Sequence, residues 1–162
     1  IPDASLYLRA ETNALLCGGW EPEGLSTDPR GFALTTEPPA IEPDYEVLGW
    51  FAEQLAPHLP KVNDLGLRSV FRGWPTFTPD GRFIIGPSAR VPGFVMAGGC
   101  NAHGVSGSAG IGRHVVESMF DDAPSEYVRS LSPDRFSENG WDWPTARRDA
   151  QHYYETYYCL GH

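Results

Sequence analysis

The sequence predicts an α+β fold built on antiparallel strands, and three observations carry that expectation. Two short apolar runs, Ser5 to Arg9 and Ala14 to Trp20, flank the polar Glu11-Thr12-Asn13 and read as a β-hairpin. Val47, Leu48, Phe51, Leu55 and Leu59 recur at helical spacing behind Asp44, a residue suited to cap a helix N-terminus. A strand, a small-residue loop and a helix then follow one another from Gly93 to Phe120.

The remaining elements are read from turn chemistry. A Pro- and Gly-rich loop occupies 22–43, and Pro60 marks the point by which the first helix must have ended. Leu65 to Trp74 is expected to be a strand. Pro79-Asp80-Gly81 is a strong turn signal ahead of the buried strand Phe83-Ile84-Ile85, which stops at Gly86. Pro92-Gly93 turns the chain into Phe94-Val95-Met96-Ala97, expected to be another buried strand. That strand opens into Gly98-Gly99-Cys100-Asn101-Ala102-His103-Gly104. A helix is expected from about Ser106 to Phe120, with Ile111, Val115, Val116 and Met119 as its apolar side. The tail from Pro124 holds Trp141, Trp143, Tyr153, Tyr154, Tyr157 and Tyr158 among charges. It reads as a wrapping or linking segment, with a helical stretch from about Pro144 to Leu160.

Composition narrows the class. The 162 residues suffice for one ordinary domain, and 41% hydrophobic with 20% charged residues is globular. A net charge of −9 argues against nucleic acid or an anionic membrane as partner. Cys17, Cys100 and Cys159 lie far apart, with no CxxC or Cys/His ligand spacing, so neither a disulfide framework nor a metal site is expected, and a reducing compartment is the simpler reading. No apolar run approaches the roughly 20 residues of a membrane-spanning helix. Ile1-Pro2-Asp3 has neither an initiator Met nor a basic leader, which reads as a chain cut from something longer and not secreted.

The segment from Gly93 to Phe120 carries the chemistry. The first turn of a helix exposes N–H groups without intrahelical partners, and glycines let a ligand approach the backbone, so such a start suits an anion. The alternative reading is purely structural: Gly98, Gly99 and Gly104 form a tight turn, and Gly107, Gly110 and Gly112 allow close helix packing. No GxGxxG fingerprint occurs in the chain.

At these residues the chain resembles the flavin amine oxidoreductases of the D-amino-acid oxidase superfamily. The matching block runs from Arg72 to Met119 and holds Thr78-Pro79-Asp80-Gly81-Arg82-Phe83-Ile84-Ile85-Gly86 and the loop with its His103-Gly104 pair. Looser likeness to the sarcosine and dimethylglycine dehydrogenases extends over the hairpin from Tyr7 to Pro22, Arg135-Phe136 and the Tyr-rich end from His152 to His162. The resemblance implies residues 1–77 as a portion of a substrate domain and 78–122 as the last strand and C-terminal helix of a flavin-binding domain. It implies 123–162 as a wrapping tail or linker toward a folate-binding aminomethyltransferase-like region. The dinucleotide-binding part, N-terminal in that family, is not in this sequence, so the fold is expected to be incomplete without it.

The resemblance further implies FAD as cofactor, with tetrahydrofolate in a following domain, and oxidative demethylation of an N-methyl amino acid such as dimethylglycine or sarcosine. A non-catalytic regulatory relative, of the pyruvate dehydrogenase phosphatase regulatory subunit kind, is the alternative. Expected partners are the flavin-binding part of the same protein, the small amine and an electron-transfer flavoprotein-like acceptor, in a bacterial cytoplasm or the mitochondrial matrix. His103 and Trp74 are the expected catalytic residues. Gly86, Asn101, Ala102, His103, Gly104, Val105 and Ser106 are expected to line the cofactor. Asn101 also has a plain reading as a turn residue, Trp74 as a core residue and Arg72 as a surface arginine.

Three departures from the family bear on chemistry. Gly73 stands where the sarcosine oxidases carry a flavin-linking cysteine. Ser106 stands where they carry a lysine near the substrate carboxylate. Cys17 falls at the place of their oxygen-activating lysine, within a residue or two. Losing cations beside a flavin disfavours superoxide formation, which implies a dehydrogenase passing electrons to a protein acceptor.

Overall fold

The computed structural model describes residues 1–33, 37, 39–137 and 140–158. It is an α+β structure whose described residues form two antiparallel two-stranded sheets and four helices. Contacts gather the chain into two units, Ile1–Trp74 with the segment from Tyr154 onward, and Pro75–Tyr153.

In the first unit the expected hairpin forms as β1 (Leu6–Glu11) and β2 (Ala14–Gly19), in register from Leu6 opposite Gly19 to Glu11 opposite Ala14. Asn13 takes the left-handed conformation (φ 56°) that the two-residue connection needs and that Asn tolerates. Directly opposed residues share a face, so Leu6, Leu8, Ala10, Leu15, Cys17 and Gly19 lie together, with only Leu6 buried. Helix α1 (Tyr45–Leu55) starts as expected at Asp44, whose carboxylate accepts from the N–H groups of Glu46 (3.0 Å) and Val47 (3.1 Å). Leu55 is buried. Phe51 reaches the end of β2, where a Cβ on Gly19 would stand 2.8 Å from its ring. Leu59 lies past the helix, ahead of a 3-10 turn over Pro60–Asp64.

The strand expected from Leu65 to Trp74 does not form. A strand exists through ladder hydrogen bonds to a neighbour, and none lies beside this segment among the described residues. The residues that suggested it, Leu65, Leu67 and Phe71, are solvent-exposed.

In the second unit, Thr78-Pro79-Asp80-Gly81 makes the expected turn, closed by Gly81 N–H donating to the Thr78 carbonyl (3.2 Å) with Gly81 at φ 64°. It leads into β3 (Ile84–Pro87), which pairs with β4 (Val95–Gly98) from Ile84 opposite Gly98 to Pro87 opposite Val95. β4 is not the buried strand expected, since among the described residues it pairs on one edge only and Phe94 and Ala97 are exposed. Pro92-Gly93 turns the chain, with Phe94 N–H donating to the Val91 carbonyl (3.0 Å) and Gly93 at φ 79°. Helix α2 (Ser108–Phe120) begins two residues later than expected. Its inward face also differs. Ile111, His114, Val115, Glu117 and Ser118 are the partly buried positions, while Val116 and Met119 are exposed. Apolar residues lie on both sides of this helix, and packing against β3, where Ser118 Cβ lies 3.9 Å from the Cβ position of Gly86, selects one.

The segment after Pro124 contributes to this core. Helix α3 (Glu126–Arg129), capped by Ser125, places Val128 and Leu131 beside Ile85; all three are at most 2% exposed. The Leu131 carbonyl accepts from Ile85 N–H (2.9 Å). Both ends of β3 are then clamped. Arg135 donates to both carboxylate oxygens of Asp80 (2.8 and 3.1 Å), and Asp134 accepts from Ser88 Oγ (2.9 Å) and Ala89 N–H (2.6 Å). Helix α4 (Trp143–Glu155) bears out the helical reading of the tail, with Asp142 accepting from Thr145 N–H (3.0 Å). The expected last residues of that helix, Cys159 and Leu160, lie outside the described residues. In the first unit, Trp20 packs on the rings of Tyr154 and Tyr157, centroids 5.2 and 4.2 Å away.

Candidate functional site

The loop between β4 and α2 is held by one buried side chain. Asn101 is 6% exposed and adopts φ 46°, and Gly99 and Ala102 are also left-handed, at φ 59° each. The Oδ1 of Asn101 accepts from Thr78 N–H (2.8 Å), its Nδ2 donates to the Gly99 carbonyl (2.7 Å), and its own N–H donates to the Thr76 carbonyl (3.1 Å). The carbonyl of Asn101 accepts from Nδ1 of His103 (2.8 Å). Gly99 is required here twice over. Its backbone is left-handed, and a Cβ would stand 2.6 Å from Thr78 Cγ2.

Beyond the loop the chain winds into α2. His103 N–H donates to the Cys100 carbonyl (2.8 Å), and Gly107 N–H donates to the His103 carbonyl (2.8 Å). A Cβ on Gly107 would stand 3.0 Å from that carbonyl and 3.3 Å from the Phe83 ring, so the close-packing reading holds for Gly107; at Gly110 and Gly112 a Cβ would meet nothing within 4 Å. Ala102, His103, Val105 and Ser106 are exposed, with Val105 at 93%. The N–H groups of Ala102, Gly104, Val105 and Ser106 make no hydrogen bond among the described residues. Several backbone donors on one exposed loop, ahead of a helix N-terminus, fit the electron-rich carbonyl edge of a flavin or another anion.

The sequence-predicted site residues therefore divide. Ala102, His103, Gly104, Val105 and Ser106 share this surface, while Asn101 belongs to it through its backbone and turns its amide inward. Gly86 is buried within β3, opposite Met96, at φ 129°. Trp74 belongs to the first unit; its Nε1–H donates to the Pro39 carbonyl (3.0 Å), and its ring lies 5.5 Å from that of Phe32. Cys17 lies mid-strand opposite Leu8; its side chain is exposed, and partial desolvation by neighbouring atoms raises its thiol pKa. Thr78 was missed as a site-forming residue. The signal was present in its place directly before the Pro79-Asp80-Gly81 turn, but its partnership with Asn101 spans 23 residues.

Asp80 and Arg135 form the other charged feature near the loop's anchor. Burial pushes the Asp80 carboxyl up, but hydrogen bonds from Arg135 and Arg82 N–H outweigh it and hold the pKa below the usual carboxylate range. Glu117 on α2 is lowered from 4.5 to about 2 by hydrogen bonds from Ser125 and His114. Among the described residues, no cluster of three His, Cys, Asp or Glu could hold a metal, and no helix is long and apolar enough to cross a membrane.

Human mitochondrial sarcosine dehydrogenase is 27% identical over 154 residues, 93% of this chain and 16% of the relative. The formaldehyde-forming 4-methylaminobutanoate oxidase of Paenarthrobacter nicotinovorans is 26% identical over 140 residues, 83% of this chain and 16% of the relative. The mitochondrial pyruvate dehydrogenase phosphatase regulatory subunit of mouse is 29% identical over 136 residues, 83% of this chain and 15% of the relative. The chain thus spans about one sixth of the length of these relatives. No solved structure matches it. The family of FAD-dependent oxidoreductases of the D-amino-acid oxidase type matches residues 1–118, nearly three quarters of the sequence, and the chain belongs to that family.

Proposed function

We propose that the chain is part of a flavin-dependent amine dehydrogenase that demethylates an N-methyl amino acid such as dimethylglycine or sarcosine. One observation carries the reading: an exposed loop of backbone donors leads into α2 in a chain that has relatives named for N-methyl amino acids. Bound FAD would supply the two-electron oxidation. In this proposal Gly104, Val105 and Ser106 donate backbone N–H groups to the flavin's carbonyl edge, and Ala102 and Asn101 shape the loop against it. Gly86, at φ 129° in β3, keeps its place in the cofactor-binding set as the glycine that ends the matching strand motif. His103 meets the substrate amine, and Trp74 offers an aromatic face to a methylated ammonium. The amine loses a hydride equivalent from its N-methyl carbon and becomes an iminium. Water then releases formaldehyde, or tetrahydrofolate in a following region takes the carbon.

The flavin-binding part of the same protein would hold the ADP half, residues 1–77 would belong to the substrate domain and 78–122 to the flavin domain, and 123–162 would lead onward. An electron-transfer flavoprotein-like acceptor is favoured over oxygen, because Cys17 and Ser106 bring no cation to the flavin. The setting would be a bacterial cytoplasm or the mitochondrial matrix. A second reading, a regulatory relative without turnover, is favoured by the 29% identity to the phosphatase regulatory subunit.

The test is anaerobic titration of the flavin-containing protein with dimethylglycine, sarcosine and 4-methylaminobutanoate. Bleaching of the flavin band with release of formaldehyde is expected. A flavin that none of the three bleaches refutes the dehydrogenase reading and leaves the regulatory one.

A further inference from the structure

The geometry points to Asn101 as a positioning residue for His103. Asn101 is almost wholly buried, and its side chain is engaged at both ends: Oδ1 by Thr78 N–H (2.8 Å) and Nδ2 by the Gly99 carbonyl (2.7 Å). Those two bonds, with the N–H bond to Thr76, fix a left-handed residue in one orientation and so aim its carbonyl. That carbonyl lies 2.8 Å from His103 Nδ1. A carbonyl can only accept, so Nδ1 carries the proton and the neutral ring presents Nε2 as its acceptor nitrogen. The hydroxyl of Thr78 has one proton, and the Arg82 carbonyl at 2.9 Å is nearer to it than Asn101 Oδ1 at 3.3 Å. The part of Thr78 in holding Asn101 is therefore its backbone N–H.

The consequence is that a buried amide sets which nitrogen of an exposed imidazole can accept a hydrogen bond from a ligand ammonium. Identification of that ligand as the N-methyl amine rests on the functional reading above; the tautomer does not. Ser106 Oγ donates to the His103 backbone carbonyl (3.2 Å), a second hydrogen bond that fixes the backbone at this residue.

The experiment labels histidine with 15N in the flavin-containing protein and reads ring tautomers from two-bond 1H–15N correlations at about pH 9, where imidazoles are neutral. His103→Gln assigns the signal. Wild-type His103 is expected as the Nδ1–H form. In Asn101→Gly, which keeps positive φ without strain, the ratio of Nδ1–H to Nε2–H should fall about two- to tenfold, the effect of one neutral hydrogen bond. Asn101→Ala is the fallback if the glycine variant does not fold, since Ala102 already occupies the same backbone region. Thr78→Val, which perturbs the same buried spot but keeps the N–H, should leave the ratio unchanged. A wild-type Nε2–H form, an unmoved ratio in the Asn101 variants, or an equal fall in Thr78→Val overturns the inference. Failure of every amine to bleach the flavin overturns the functional reading instead, with the tautomer result intact.

Discussion

Replacing Arg135 by Met tests how much of the hold between the segment after Pro124 and the turn leading into β3 comes from one guanidinium. Arg135 donates to both Asp80 oxygens, to the carbonyls of Leu131 (2.9 Å), Ser132 (3.1 Å) and Arg82 (3.2 Å), and lies 4.1 Å over the Phe136 ring. Its side chain is 14% exposed and that of Asp80 33%. A fully buried pair that loses one partner costs about 3–5 kcal/mol. Asp80 keeps access to water and Arg82 N–H as a donor, so a discounted figure of about 2–3 kcal/mol is appropriate. Met fills much of the stem's volume, so the loss is chiefly polar. Hydrogen exchange followed by mass spectrometry reads local opening directly, without requiring two-state unfolding of a long protein. Peptides covering 128–136 and 84–87 should exchange roughly 30- to 150-fold faster, the kinetic equivalent of that free energy. Asp80→Asn should reproduce part of the effect, and the double variant should fall short of additive. Exchange within about threefold of wild type in Arg135→Met would refute the clamp, because one tenfold step corresponds to only about 1.4 kcal/mol.

Three further outcomes follow from the packing. Leu131→Ala, at a fully buried position, should destabilise the second unit by about 2–5 kcal/mol, visible as lost exchange protection at Ile85, whose N–H donates to the Leu131 carbonyl. Gly99→Ala should expose the Asn101 N–H to exchange and weaken flavin retention, whereas Gly110→Ala, open on all sides, should leave both unchanged; equal effects at the two glycines would count against the loop geometry. The folded pKa of Glu117 is depressed from 4.5 to about 2, so its stabilisation of the α2–α3 junction is fully present above the unfolded value. It should fade as pH falls from about 4.5 toward 2, and Glu117→Gln should remove that dependence from exchange at Ser125.

The sequence by itself determined the elements whose cause is local. Asp44 starts α1 because its carboxylate reaches N–H groups two and three residues on. Asn13, Gly81 and Gly93 shape their turns because a left-handed backbone favours those residue types wherever they stand. The β1–β2 register follows from the apolar runs on either side of a two-residue connection. The order of strand, loop and helix around His103 was legible for the same reason, and so was the family, whose matching motifs are contiguous.

Tertiary structure decided what depends on partners far along the chain. Leu65 to Trp74 has a strand's composition but no neighbour to bond, so it forms none among the described residues. Both sides of α2 carry apolar residues, and β3 chose the side with Ser118 over the side with Met119. Leu131 and Arg135 sit in a polar tail whose sequence offers no periodic signal, yet they close the core and the clamp across 46 and 55 residues. Asn101 is the sharpest case. Its sequence neighbours suggest a surface turn, and only the fold brings Thr78 N–H to its Oδ1, burying the amide and leaving His103 on the surface. Local free energies are written in neighbouring residues, whereas burial and long-range hydrogen bonds belong to the assembled chain.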